Sequence, residues 1–311
     1  MEHKKVAITG GAGFIGSNLA HELANNNNII IIDNLSTGRK ENIADLLNND
    51  NVTFVHGSIL DLKLLMEVFN GIDFVLHEAA IPSVPRSIED PLSSNEANIT
   101  GTLNVLIAAR DNHVRKVVFA SSSSVYGDTP ELPKSEEMIP NPKSPYAITK
   151  LVGEYYCDFF NRSYPLPTVC LRYFNVYGPR QNPHSQYAAV IPRFITKVLQ
   201  DKSPIIYGDG NQSRDFTFVR DVVQANIIAA EKDITGTFNI GTGKSITINR
   251  LAESIMAVLN KNLYPIFKQA RVGDVKDSLA DISRAKSFGY TPKYDLQKGL
   301  IETIRSFTNE K

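Results

Sequence analysis

The sequence predicts an α/β protein with a parallel sheet covered by helices on both faces and a smaller second lobe toward the C-terminus. Short apolar runs alternate with helically spaced stretches through the first half, the order expected of strand–helix–strand crossovers. One of those runs, NIIIID at 28–33, is almost continuously β-branched. A strand buried on both faces needs that composition, because neither of its sides meets water. The pattern then loosens after about Tyr177, where YGPRQNPHSQ is rich in turn formers. A first unit over 1–177 and a second over 178–311 follow, with interleaved segments, since strand signals continue past the loosening.

Each element has its own signal. KKVAITG is an apolar run closed by glycine, and FIGSNLAHELANN places Phe14, Leu19 and Leu23 at helical spacing. NNNN at 25–28 is a polar loop before the second strand. NVTFVHGS, FVLHEAA and KVVFASS continue the strand series, and TVCLRYFNV supplies a sixth. AVIPRFITKVLQ, VRDVVQANIIAAEK, TFNIGTG and TINRLAESIMAVL read as the shorter elements of the second lobe. No tandem repeat is present.

Bulk composition bounds the function. The chain has 311 residues, 42% hydrophobic and 21% charged, enough for a sizeable core. Thirty-three basic residues balance 33 acidic ones, so net charge gives no argument for nucleic acid or an anionic membrane as partner. Cys157 and Cys170 lack metal-ligand spacing and lie in apolar surroundings, as buried thiols do. No metal is expected. No stretch has the shape of a signal peptide or the apolar length of a membrane span, so a cytosolic location is expected.

Between the first strand and the first helix lies TGGAGFIGS, with glycines at 10, 13 and 16. Glycine permits the tight turn and lets a pyrophosphate approach the backbone, while the helix start offers N–H groups and a positive dipole end. The second strand ends in Asp33, at the spacing expected of an acid that accepts from a ribose hydroxyl. A carboxylate would repel a 2′-phosphate, which favours NAD over NADP, although Arg39 and Lys40 lie nearby. In SPYAITKLVGEYY, Tyr146 and Lys150 stand four apart, on one face of a helix. Taken alone, that spacing fits either a surface pair or a phenol made acidic by an ammonium.

Together, TGGAGFIGS, HEAA (77–80), NITGTLNVL (98–106), SSSSVYGD (121–128), YAITK and LRYFNVYGPRQ resemble the extended short-chain dehydrogenases/reductases over nearly the whole chain. Within them the chain is most similar to nucleotide-sugar 4-epimerases, and SQYAAVIPRF with YGDGNQSRDFTFVRDVVQAN to those acting on UDP-N-acetylglucosamine. Glu78 departs from the pattern, since the family has an apolar residue there. The resemblance implies a Rossmann-type fold that binds NAD. Tyr146 is then the base, Lys150 its activator and a ligand of the nicotinamide ribose, and Ser122 the partner of the reacting hydroxyl. The cofactor is expected to meet Gly10, Gly13, Phe14, Ile15, Gly16, Asp33, Asn34, Ser36, Thr37, Gly38, Ser58, Ile59, Ala79, Ala80, Asn98 and Tyr173. Ser83, Arg86 and Ser123 line the sugar pocket, Asn175 touches the sugar or its phosphate, and Ala189 and Val190 lie by the uracil. Arg214 and Arg271 pair with the diphosphate, Asp274 accepts from the uridine ribose, and Ser278 sets the sugar size accepted.

The implied reaction oxidises C4 of a UDP-hexose, turns the keto sugar and reduces it on the opposite face. Related 4,6-dehydratases carry an Asp-Glu pair before VYG, and decarboxylating relatives keep a glutamate there. Here Ser123 and Ser124 occupy those positions, and a serine cannot act as a carboxylic acid. UDP-glucuronate 4-epimerases share the serine-rich string and stay the nearest rival. A non-catalytic dinucleotide-binding redox sensor is a second alternative, disfavoured because Ser122, Tyr146 and Lys150 are all present. Apolar residues on more than one face of the stretches at 98–110 and 145–161, such as Leu103, Leu106, Tyr155 and Phe159, suggest a homodimer.

Overall fold

A computed structural model describes residues 1–183, 189–270 and 276–309. Seven strands form its central sheet: β1 Lys5–Thr9, β2 Asn28–Asp33, β3 Val52–His56, β4 Phe74–His77, β5 Lys116–Ser122, β6 Thr168–Tyr173 and β7 Gly236–Ile240. Their order is β3-β2-β1-β4-β5-β6-β7, with all neighbours parallel. The chain winds outward from β1 to β3, returns to β4, and winds outward the other way. The crevice between β1 and β4 is therefore the switch point where sheets of this kind bind ligands.

Alternation within the strands builds two cores. Ile8, Ile29, Ile31, Leu76, Val118 and Leu171 face one side, with Leu19, Leu23, Val222 and Ala225 from helices Phe14–Leu23 and Val219–Glu231. Ala7, Ile32, Val75, Val117 and Phe119 face the other, with Val105, Leu106, Cys157 and Phe160 from helices Gly101–Asp111 and Pro145–Ser163. Each fully buried Ile or Leu contributes about 1.5–3 kcal/mol, so the sheet is a rigid platform for its loops.

A third core joins helices Val190–Leu199, Ile248–Val258 and Leu296–Asn309 around Phe194, Phe216, Phe218 and Leu251. This is the smaller lobe. The segment TFNIG, grouped with that lobe by its place in the chain, is β7 and pairs with β6. Helix Val219–Glu231 likewise packs on the sheet, so the lobes interleave along the chain. Among the described residues, no helix is long and apolar enough to cross a membrane.

Candidate active site

The glycine loop abuts the end of β4. Gly10 has φ of +69°, and a Cβ there would lie 2.7 Å from Ala79 N and Cα. A Cβ on Gly16 would collide with the carbonyl of Gly10. Only glycine allows this approach of loop, helix and strand. Helix Phe14–Leu23 starts at Gly13 with no side-chain cap, which leaves its first N–H groups to an outside acceptor. Ile15 is partly buried where the sheet core and the small-lobe core meet, and Phe14 packs on the small-lobe core.

Asp33 is buried at the end of β2. Its Oδ2 accepts from Ala12 N at 3.0 Å and its Oδ1 from Leu35 N at 2.8 Å. Each oxygen keeps a lone pair for a further donor such as a ribose hydroxyl. Burial raises its pKa, while the two backbone N–H groups hold it down. A Cβ on Gly38 would come within 2.7 Å of both Asp33 oxygens, so the following loop closes over the acid. Asn34, whose Oδ1 accepts from Ser36 N at 3.1 Å, stands exposed with Ser36 and Thr37 on that loop. Ser58 and Ile59 lie just beyond β3. The Ser58 Oγ accepts from Leu60 N at 3.2 Å, and Ile59 is buried. A dinucleotide fits this set, because the loop can cradle a pyrophosphate and Asp33 can receive a ribose diol.

Helix Pro145–Ser163 carries the Tyr-x-x-x-Lys pair. Ser144 caps it by accepting from Ala147 N at 3.2 Å, and Pro145 takes the first helical position, where no N–H is needed. Tyr146 stands beside Ser122, at the end of β5, whose side chain draws the phenol's pKa down. The Ser122 Oγ also accepts from Ser124 N at 3.1 Å. Lys150 Nζ donates to Ala120 O at 2.7 Å and lies 5.9 Å from the centre of the Tyr146 ring. Burial lowers the Lys150 ammonium to about 8, against an opposing pull from Glu78. Burial also pushes the Tyr146 phenol up to about 12, with Ser122 drawing it down and Glu78 pushing it further up. The chain's own groups therefore do not make Tyr146 acidic. A phenol, a serine and an ammonium so placed can take a proton from, and return it to, a hydroxyl lying between Tyr146 and Ser122.

Asn98 sits in a π-helical turn, Glu96–Thr100. Its Oδ1 accepts from Ile81 N at 2.8 Å, and its Nδ2 donates to Thr149 Oγ1 at 3.0 Å and Ile81 O at 3.3 Å. Those bonds tie the loop holding Ala79 and Ala80 to the Tyr146 helix. Tyr173, at the end of β6, donates to Glu78 Oε1 at 2.8 Å and accepts from Asn226 Nδ2 at 2.8 Å. Sequence reasoning noted Glu78 only as a departure from the pattern and assigned it no role, and it did not single out Asn226.

A cleft of about 380 Å³ opens toward the smaller lobe and is lined by Asn175, Ala189, Val190 and Arg214, with Arg193, Tyr207 and Gln212 beside them. The Arg193 guanidinium lies 5.6 Å from the Tyr207 ring centre. Arg214 Nη1 donates to Ser213 O at 2.8 Å and Lys276 O at 3.0 Å. Asn175, at φ of +35°, donates to Asp215 O at 3.0 Å and Ser278 Oγ at 3.4 Å. Pro85 lines the same cleft, within helix Val84–Glu89, which Ser83 caps by accepting from Arg86 N at 3.2 Å. Ser123 is half-buried one residue beyond Ser122. Arg271 and Asp274 lie outside the described residues.

The chain resembles known proteins along its whole length. It is 41% identical over 309 residues to a putative UDP-glucose 4-epimerase of Methanocaldococcus jannaschii, covering 98% of each chain. A UDP-N-acetylglucosamine 4-epimerase from Methanobrevibacter ruminantium M1, solved with UDP-N-acetylmuramic acid, superposes with a TM-score of 0.97 at 44% identity and complete coverage of both chains. The UDP-glucose 4-epimerase of Thermotoga maritima, solved with UDP-glucose, gives a TM-score of 0.93 at 38% identity, covering 98% of this chain and 99% of that one. The family model that matches residues 6–241 is the NAD dependent epimerase/dehydratase family, and the chain belongs to that family.

Proposed function

We propose that the chain is an NAD-dependent UDP-sugar 4-epimerase acting on the UDP-glucose/UDP-galactose and UDP-N-acetylglucosamine/UDP-N-acetylgalactosamine pairs. One observation carries this reading. Tyr146 stands beside Ser122 and Lys150, and only serines stand at 123 and 124, where a dehydrating or decarboxylating site needs carboxyls.

NAD, when bound, supplies the acceptor and donor of hydride. The glycine loop and Asp33 would hold it, and Lys150 would bind its nicotinamide ribose. Tyr146 removes the proton from the sugar 4-hydroxyl as Ser122 steadies that oxygen, and returns it after the keto sugar has turned. A positive nicotinamide beside Tyr146 would counter the burial that keeps the phenol protonated. The cleft at Asn175, Val190 and Arg214 receives the nucleotide, where a planar guanidinium suits phosphate oxygens. Arg271 and Asp274, outside the described residues, are the expected partners of the diphosphate and the uridine ribose. Keeping UDP fixed lets the keto hexose present either face to the same hydride donor.

The supporting relatives bear both glucose and N-acetylglucosamine names. A coupled assay on UDP-glucose, UDP-galactose, UDP-N-acetylglucosamine and UDP-glucuronate tests the reading. Turnover of the first three without accumulating NADH is expected. Turnover of UDP-glucuronate alone would replace this reading with the glucuronate epimerase, and NAD binding without turnover would leave a redox sensor.

We also propose a cytosolic homodimer. Cys157 and Cys170 are free thiols, as a reducing compartment keeps them. Ile148, Tyr155 and Phe159 are 48%, 61% and 48% exposed on the Tyr146 helix, and Leu92 is 82% exposed nearby. Such a strip on a soluble protein calls for a partner helix. Sedimentation of wild type and of Tyr155→Glu, the variant shifting to monomer, is the check.

A further inference from the structure

Glu78 is an ionisable side chain that the reaction above does not use. It follows β4 directly, and its carbonyl carbon lies 2.9 Å from where a Cβ of Gly10 would sit, so its backbone abuts the glycine loop. Its side chain then crosses above β5 to reach Tyr173 on β6, 2.8 Å away. The carboxyl thus stands at the C-terminal edge of the sheet, between the phosphate cradle and the Tyr146–Lys150 helix. A dinucleotide running from that cradle to the hydroxyl handled by Tyr146 passes over this place with its nicotinamide end.

The surrounding bonds run one way. Asn226 Nδ2 donates to the Tyr173 hydroxyl at 2.8 Å and to Val222 O at 2.9 Å, and Tyr173 donates to Glu78. Among the described residues, the buried Asn226 Oδ1 has no partner. An amide that leaves its acceptor empty and both donors engaged is oriented to serve an anion at the end of the relay.

We propose that Glu78 is the counter-ion of the oxidised nicotinamide, a carboxyl that Tyr173 and Asn226 hold in the cleft, negative while the cofactor is cationic and protonated from solvent once the cofactor is reduced. The inference rests on the reading of the cleft as the site of hydride transfer.

The charges around Glu78 allow the switch. Tyr173 faces it from β6, and Tyr146 and Lys150 act on it from helix Pro145–Ser163. Helix Val219–Glu231 presents only the neutral Asn226 to this relay, and the neighbouring His77 turns the other way, toward Thr9 and Thr102. Burial pushes the Glu78 carboxyl up to about 7, while Tyr173 and Lys150 draw it down. A bound cation lowers it and a neutral ring does not, so near neutral pH the oxidised complex carries one proton fewer than the reduced one.

The test is the ratio of the dissociation constants of NADH and NAD⁺, measured by competition titration between pH 5.5 and 9 on wild type, Glu78→Gln and Tyr173→Phe. In wild type the ratio should rise about tenfold per pH unit around neutrality, the slope of one linked proton. Glu78→Gln should remove that rise and lower the ratio at pH 8.5 by about tenfold or more. A rise near pH 8 that persists in Glu78→Gln belongs to Lys150 and does not count for Glu78. Tyr173→Phe keeps the carboxyl but removes its donor, so the rise should move to higher pH. This variant decides the matter if Glu78→Gln does not fold. Wild-type ratios at every pH in Glu78→Gln, or no displacement of the rise in Tyr173→Phe, would overturn the proposal. Failure of wild type to bind either nucleotide would overturn the reading of the cleft itself.

Discussion

Arg172 grips the carboxylate of Glu154 from two sides, Nε to Oε1 at 2.8 Å and Nη2 to Oε2 at 2.7 Å, with both side chains 6% exposed. Ser121 Oγ donates to the same Oε1 at 2.5 Å, and Arg172 Nη1 donates to the Tyr126 hydroxyl at 2.8 Å. Glu154 stands one turn beyond Lys150, and Ser121 directly precedes Ser122. The pair therefore locks the Tyr146 helix to the ends of β5 and β6.

Removing one partner leaves the other charge buried and alone. Arg172→Leu should cost about 3–5 kcal/mol in urea unfolding. The double variant Arg172→Leu/Glu154→Leu should be less destabilised than either single one, because an apolar pair leaves no orphan charge. A single variant within about 1 kcal/mol of wild type would show that water reaches the site and screens the pair.

Tyr146→Phe keeps the ring in its space and removes only the ionisable oxygen. Turnover should fall by about 10²–10⁴-fold with NAD affinity retained. Near-wild-type turnover would remove Tyr146 as the base.

Asp33→Ala should weaken NAD more than NADP, because the lost carboxylate accepts from a ribose diol but repels a phosphate. Fluorescence titration with both reduced cofactors measures the preference. An unchanged preference would free Asp33 from that role.

His77 gives stability a pH dependence. Its Nδ1 lies 2.7 Å from Thr9 Oγ1 and its Nε2 3.0 Å from Thr102 Oγ1, whose own proton goes to Asn98 O at 2.6 Å. Thr102 therefore accepts from Nε2–H, and Nδ1 is free to accept from the Thr9 hydroxyl, the arrangement of a neutral imidazole. Burial first, then the Lys150 charge, lower its pKa to about 3. Unfolded histidine titrates near ~6.5, so between that pH and about 3 the unfolded chain binds the extra proton. The stability from a neutral His77 is complete above pH 6.5 and drains away as pH falls, by a few kcal/mol at most. Urea unfolding at pH 7.5 and 5.0 should show the loss in wild type and a smaller loss in His77→Gln. Equal losses in both would place the acid sensitivity elsewhere.

What the sequence revealed was local. The glycine loop, Asp33 and the Tyr146–Lys150 spacing are set by short-range geometry, and the structure puts them around one crevice. The sequence suggested interleaved segments but did not say that TFNIG is the one that joins the sheet, because pairing with β6 is a long-range choice that this segment does not encode alone. The Glu78–Tyr173 bond joins residues 95 apart, and Asn226 enters from a third element, so no spacing rule reaches them. The acidity of Tyr146 was expected from an adjacent ammonium together with a positive nicotinamide; in the chain alone Lys150 donates a hydrogen bond to Ala120 O and burial holds the phenol's pKa up. Desolvation depends on the whole enclosure and has no sequence motif.

The Ser278 N–H donates to Ser213 O at 3.0 Å, which fixes its backbone beside Arg214, and its Oγ accepts from Asn175 Nδ2 at 3.4 Å. Asn175 lines the cleft and Ser278 touches it from behind, with a side chain of two heavy atoms. A tyrosine here projects a ring toward Asn175 and takes space that a 2-acetamido group would need when the keto sugar turns. Ser278→Tyr should lower kcat/KM for UDP-N-acetylglucosamine by tenfold or more while sparing UDP-glucose, since steric exclusion easily exceeds the ~1.4 kcal/mol of a tenfold change. Ser278→Ala, which loses only the weak contact with Asn175, should treat both substrates nearly as wild type does. The ratio of the two kcat/KM values across the three proteins is the measurement. An unchanged ratio in Ser278→Tyr would take residue 278 out of the sugar pocket, and a wild type inactive on UDP-N-acetylglucosamine would overturn the breadth of substrate proposed for the cleft.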